Sequence, residues 1–152
     1  MEGRFHGSRL PPCYNSGFWS ERVIAGIGVD VVEVKRVEQA ILRRGRRLLE
    51  RVFTPAEIAY CERRRNKFER YAARFAAKEA AQKALGTGWS GGIGWRDFEI
   101  VNLASGKPAL KLSGAAARLA RRMKVKRIAL SLSHTRDLAI AQVILESSRT
   151  VK

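Results

Sequence analysis

A chain of 152 residues can bury a real core, and an apolar share of 45% excludes a disordered polymer. No run of eighteen apolar residues occurs, which excludes a membrane-spanning helix. Thirty Lys+Arg against 14 Asp+Glu leave a net charge of +16, so the expected partners are polyanionic: nucleic acid, anionic lipid, a phosphate-rich cofactor or an acidic protein.

Residues 1–22 are punctuated by Gly, Pro, Ser and Asn and keep no hydrophobic period, so they read as a loose extension. They also lack the continuous apolar stretch of a secretory signal. A single domain is expected over 23–146, with a polar tail over 147–152. Cys13 and Cys61 match neither a disulfide framework nor a zinc spacing and read as free thiols in a reducing compartment, the cytoplasm.

The stretch 23–34 (VIAGIGVDVVEV) is apolar and β-branched, and its glycines disfavour a helix, so it is a strand. Alternation places Ile24, Gly26, Gly28, Asp30 and Val32 on one face. Glycine in a strand marks close approach by another backbone or a ligand. Asp30, on that same face, needs a cation, a donor or water; the plainer reading is a strand-end cap. Residues 34–51 follow as a basic amphipathic helix or helix pair. Val34, Val37, Ala40 and Ile41 lie inside, Gly45 breaks the helix, and Lys35, Arg36, Arg43, Arg44, Arg46 and Arg47 lie outside. Thr54, Pro55 and Glu57 then spell a helix start, with Thr54 as N-cap and Glu57 reaching back in a capping box.

The clearest helix covers 67–85 (KFERYAARFAAKEAAQKAL) and ends at Gly86. Its stripe Phe68, Tyr71, Ala72 and Phe75 extends by four onto Glu79, and Lys83 lies four further on. Arg74 and Lys78 form the adjacent row. One carboxylate among three cations suits a metal-plus-phosphate arrangement, and equally an ordinary i,i+4 pair of about 0.3–0.5 kcal/mol. The glycine-rich segment 86–94 lacks P-loop spacing. Strands at 97–103 and 108–112 join through Ser105–Pro108 as a hairpin, a basic helix over 113–124 starts at Ser113, and strands 126–133 and 138–145 make a second hairpin through His134–Asp137. Ser131, Ser133 and Thr135 share a strand face that offers hydroxyls to a phosphate. The order β-α-α-α-β-β-α-β-β describes an α+β fold, an antiparallel sheet packed with helices.

GIGVDVVEV (26–34), RVFTPAEIAYC (51–61), RFAAKEAAQKALGTG (74–88), SGKPAL (105–110) and SLSHT (131–135) together resemble the holo-acyl-carrier-protein synthases, the small trimeric 4′-phosphopantetheinyl transferases. The resemblance spans 23–145. It implies a homotrimer with sites at subunit interfaces, and transfer of the phosphopantetheine arm of coenzyme A to a serine of apo acyl carrier protein. By resemblance Asp30 and Glu79 bind Mg²⁺, and Asp30, Glu79 and Lys83 are catalytic. Arg74, Lys78, Lys83, Gly86, Gly106, Pro108, His134 and Thr135 bind coenzyme A, with Arg63–Arg65 near its 3′-phosphate. Arg36, Arg43 and Arg44 meet the carrier protein.

The residue chemistry agrees with that set. Mg²⁺ takes oxygen ligands and keeps waters, so two carboxylates plus substrate phosphates satisfy it, and no Cys/His cluster suggests zinc. Either Glu79 or a water on the metal accepts the serine proton. The competing classes are a nucleic-acid-binding module and a basic membrane-surface protein. The first lacks RNP aromatics, finger spacing and a recognition helix, and the second lacks bulky aromatics on its basic helix, so neither nucleic-acid binding nor membrane insertion is expected.

Overall fold

The computed structural model describes residues 22–88 and 90–148. The expected extension with Cys13, except Arg22, lies outside the described residues, as do Trp89 and the tail from 149. The elements run β1 (Arg22–Glu33), α1 (Val34–Val52), α2 (Pro55–Glu62), α3 (Lys67–Leu85), a 3₁₀ turn (Trp95–Asp97), β2 (Phe98–Asn102), β3 (Pro108–Leu112), α4 (Gly114–Arg122), β4 (Val125–His134) and β5 (Leu138–Ser148). The order matches the α+β expectation. The strands divide into two antiparallel sheets, β1-β5-β4 and the β2-β3 hairpin.

Two strand details depart from the sequence reading. β5 continues to Ser148, because Ser147 and Ser148 pair with Val23 and Arg22, so the expected polar tail begins as sheet. A bulge between Ile24 and Gly26 breaks the alternation, and Ile24, expected beside the glycines, is exposed.

Helix α3 is the spine of the molecule. It is buried on most sides, which its small Ala76, Ala77, Ala80, Ala81 and Ala84 permit. It lies directly on β1: a Cβ at Gly26 would fall 2.1 Å from the Ala84 carbonyl oxygen, and one at Gly28 would fall 1.8 Å from that of Ala80. The two strand glycines are therefore required by backbone approach. Phe98, Ile100, Val143 and Leu145 complete this core, while Val34, Val37, Ile41, Phe53 and Tyr71 form a second one under α1 and α2.

The helix ends follow local chemistry. Gly45 leaves helical space inside α1 (φ 56°, ψ −144°), and Gly86 closes α3 in the left-handed region (φ 77°). Thr54 and Glu57 form the expected capping box. Ser113 makes no side-chain cap on α4. The Asp97 carboxylate takes that role, accepting from the Ala115 and Ala116 amides at 3.1 and 3.3 Å, because the 3₁₀ turn carries it to the helix end.

Candidate active site

Asp30 and Glu79 come together where β1 passes under α3. Past the two glycines the strand has room for a side chain, and Asp30 fills it. Lys83 donates to Asp30 Oδ1 at 2.9 Å and to the Val29 carbonyl at 3.1 Å. Asp30 is largely covered, with 16% of its side chain exposed, whereas Lys83 is half exposed. Burial, and then the negative charge of Asp30, raise the Glu79 pKa above the ordinary carboxylate value, against the opposing pull of Lys83. Two carboxylates thus lie close to each other beside the Lys83 ammonium. That donor set fits Mg²⁺, which needs one or two protein carboxylates and takes its remaining ligands from water and phosphate.

Both carboxylates border a cleft of about 380 Å³ between β1, α1 and α3. Val37, Ile41, Phe53 and Phe75 form its apolar floor, and the exposed Arg36 borders it as well. A larger cleft of about 720 Å³ opens between the β4–β5 turn and the start of α3. It holds neither Asp30 nor Glu79 and mixes Arg65, Arg136 and Lys35 with Glu33, Glu38 and Glu69.

The Arg74/Lys78 row, expected to face phosphates, turns inward. Lys78 is fully buried; its ammonium pairs with Glu57 at 2.8 Å and donates to the carbonyls of Trp95 (3.2 Å) and Phe98. Burial pulls its pKa below the ordinary lysine value, and the Glu57 carboxylate is the main opposing influence. Arg74 is 4% exposed, stacks over Tyr60 at 4.0 Å and donates to Asn102 Oδ1 at 3.0 Å. The expectation that Lys78 touches phosphate oxygens is corrected: all its donors are spent inside the fold, because α3 is covered on the side that the row occupies. Glu57, read as a cap, does cap, and it also holds a buried charge that its sequence neighbours do not announce.

A profile of the 4′-phosphopantetheinyl transferase superfamily matches residues 26–143. A holo-[acyl-carrier-protein] synthase from Solibacter usitatus (strain Ellin6076) is 58% identical over 125 residues, which are 82% of this chain and all of that protein. The chain belongs to the 4′-phosphopantetheinyl transferase superfamily, among its holo-[acyl-carrier-protein] synthases. Solved synthases share the fold. One from Neisseria meningitidis superposes with a TM-score of 0.76 at 34% identity, covering 82% of this chain and 100% of that one. One from Bacillus anthracis str. Ames, in complex with CoA (3′,5′-ADP), gives 0.68 at 36% identity over 82% and 98%.

The remaining residues singled out by resemblance to the transferases lie in four other places. Gly106 (φ 81°) and Pro108 sit at the β2–β3 turn, tied to Arg74 through Asn102, whose amide donates to the Gly106 carbonyl at 3.2 Å. His134 ends β4, with Nδ1 3.4 Å from Glu69 at the start of α3, and the Thr135 hydroxyl accepts the Leu138 amide in the β4–β5 turn. Within one chain these two hairpin turns are separate from the Asp30–Glu79 pair. Ser131 and Ser133 point to the outer sheet face, with Thr135 in the turn, so the three do not form one phosphate platform on the site's side. Arg36, Arg43 and Arg44 are exposed on α1, and Arg63, Arg64 and Arg65 are exposed beyond α2. Cys61 is a buried free thiol, pushed up to about 12 chiefly by burial. Among the described residues no helix is long and apolar enough to cross a membrane.

Proposed function

We propose that this protein moves the 4′-phosphopantetheine group of coenzyme A onto a serine hydroxyl of an apo acyl carrier protein, releasing adenosine 3′,5′-bisphosphate, with Mg²⁺ held by Asp30 and Glu79. The juxtaposition of a strand aspartate and a helix glutamate beside Lys83 carries this reading. The serine oxygen forms a bond to the β-phosphorus of coenzyme A, the bridging P–O bond breaks toward the adenosine side, and the serine proton passes to Glu79 or to water beside it. Mg²⁺, when bound, neutralises charge on the pyrophosphate. Lys83 is long, half exposed and held by one carboxylate and one carbonyl, so it can turn from Asp30 to a phosphate oxygen. Arg74, whose buried Nε lacks an acceptor and whose guanidinium reaches the β2–β3 turn through Asn102, supports a nucleotide site at that turn with Gly106 and Pro108, and Gly86 is assigned to the coenzyme at the far end of α3.

The apolar cleft beside the carboxylates, bordered by Arg36 with Arg43 and Arg44 further along α1, suits an acidic carrier protein that presents its serine together with apolar side chains. A homotrimer accounts for two further features. Ile27, Val29, Val31 and Ile140 form an exposed apolar face on β1 and β5, between 42% and 56% exposed, and a second copy covering it would lie against the strand that carries Asp30. Such a neighbour would bring its own His134 and Thr135 turn toward a site that one chain leaves without them. The cytoplasm is the proposed compartment, in keeping with the free thiol at Cys61. Incubation with coenzyme A, Mg²⁺ and apo carrier protein tests the reading: the carrier gains the mass of the phosphopantetheine group, and no gain with folded protein refutes it.

A further inference from the structure

The Glu57–Lys78 ion pair is completely buried, and no step of the reaction uses it. We propose that this pair is a positioning device for Glu79: it sets the rotation of α3 about its axis, so that the residue after Lys78 faces Asp30. The inference rests on the reading of Asp30 and Glu79 as metal ligands.

Lys78 and Glu79 are consecutive, so their side chains leave the helix about 100° apart, and anchoring one aims the other. The anchor is complete. The Lys78 ammonium has three acceptors: Glu57 at 2.8 Å, the Trp95 carbonyl at 3.2 Å and the Phe98 carbonyl. Glu57 in turn accepts the Ile100 amide on Oε1 at 3.0 Å and the Thr54 amide on Oε2 at 2.9 Å. A cap needs only the Thr54 bond. The others fasten α3 to the start of α2, to the 3₁₀ turn and to β2.

The opposite side of α3 shows why an anchor is needed. There Ala80 and Ala84 rest on Gly26 and Gly28, which sets how closely helix and strand approach. Alanine on glycine offers few protrusions to interlock, so that contact defines depth far better than rotation or slide. Directional charge-assisted bonds define both. Stability alone is a poor explanation, because a buried ion pair is often no more stabilising than apolar side chains of the same volume, whereas fixing registry is its best-attested use.

The test removes both charges together, with Lys78→Met and Glu57→Gln in one variant, leaving no charge unpaired. Four quantities are read: the thermal midpoint, coenzyme A affinity without metal, Mg²⁺ affinity by calorimetry with coenzyme A present, and kcat at saturating Mg²⁺. The expected result is a midpoint and a metal-free coenzyme A affinity close to wild type, with Mg²⁺ binding weakened about tenfold and kcat lowered by a similar factor. Should the double variant fail to fold, Lys78→Met alone, which keeps both Glu57 oxygens for the Ile100 and Thr54 amides, is read for Mg²⁺ affinity and kcat against metal-free coenzyme A affinity, with its midpoint expected to fall. Wild-type Mg²⁺ affinity and kcat in the variant overturn the inference, as does a parallel fall of all four quantities, which marks a purely structural pair. A wild-type protein that binds no Mg²⁺ and transfers without it overturns the metal reading and this inference together, an outcome distinct from wild-type binding that Asp30→Asn abolishes and the double variant keeps.

Discussion

Gly28→Ala adds one methyl group at the tightest contact between β1 and α3. The new carbon would fall 1.8 Å from the Ala80 carbonyl oxygen, 2.7 Å from the Ala84 amide nitrogen and 2.9 Å from the Ala80 carbonyl carbon. Ordinary contact distances lie near 3.3 Å or beyond, so helix and strand must part by roughly 1.5 Å. All three atoms are backbone, and no side chain can rotate away. The cost belongs at the top of the overpacking range, about 3 kcal/mol, which in a chain of this size lowers the thermal midpoint by about 6–12 °C. The same displacement carries Glu79 and Lys83 away from Asp30, and a shift of ~1 Å in reacting groups can cost about 100-fold in rate. Circular-dichroism melting and single-turnover phosphopantetheine transfer, on the same preparation, read the two effects. Gly45→Ala is the control: its positive φ makes alanine strained, yet nothing lies within 4 Å and α3 stays in place, so it lowers stability and spares the rate. A Gly28→Ala protein with a midpoint within about 2 °C of wild type and full activity would refute the close-approach argument.

Glu79→Gln should abolish transfer yet stabilise the metal-free protein at neutral pH. The folded Glu79 holds its proton more tightly than in the unfolded chain, so its ionisation removes stability as pH rises from the ordinary carboxylate pKa through the raised one; below that window wild type and variant should melt alike, and Mg²⁺ should raise the midpoint of wild type only. A midpoint difference that grows toward acid would reverse the assigned sign. Charge reversal at Arg36, Arg43 or Arg44 should raise KM for carrier protein about tenfold at low salt, with the difference shrinking as salt is added and KM for coenzyme A held. Equal loss for both substrates would contradict the division of roles. Native Cys61, buried with its pKa pushed up to about 12, should resist a thiol reagent at pH 8 until the chain is unfolded, which mass spectrometry of the labelled protein would check.

Much of the fold was legible because its signals are local. The capping box at Thr54 and Glu57, the left-handed Gly86, the break at Gly45 and the element order all follow from propensity and patterning, and each recurs in the structure. Gly26 and Gly28, on one strand face, also signalled close approach by another backbone or a ligand, and the structure supplies the backbone of α3. What parity could not supply was the bulge at Ala25, since one inserted residue depends on the partner strand. The cap of α4 was hidden for a similar reason: Asp97 is 17 residues before Gly114, and only the β2–β3 hairpin brings it to the helix.

The site was half legible, and the division falls between two adjacent residues. An amphipathic helix has a wet face and a dry one, and a cation on its polar row is assumed to be wet. α3 violates that premise, because β1 covers one side while β2 and α2 cover another, leaving Glu79 in a narrow opening between them. Glu79 was found because it interrupts an apolar stripe. Lys78 was misplaced because its row looks polar until Glu57, twenty-one residues earlier, supplies the charge that lets a lysine lie inside. Long-range charge pairing leaves no periodic trace in one sequence. It surfaces only when burial is known, and here it sets the two neighbours apart: one carboxylate open toward a cleft, one ammonium closed within the fold.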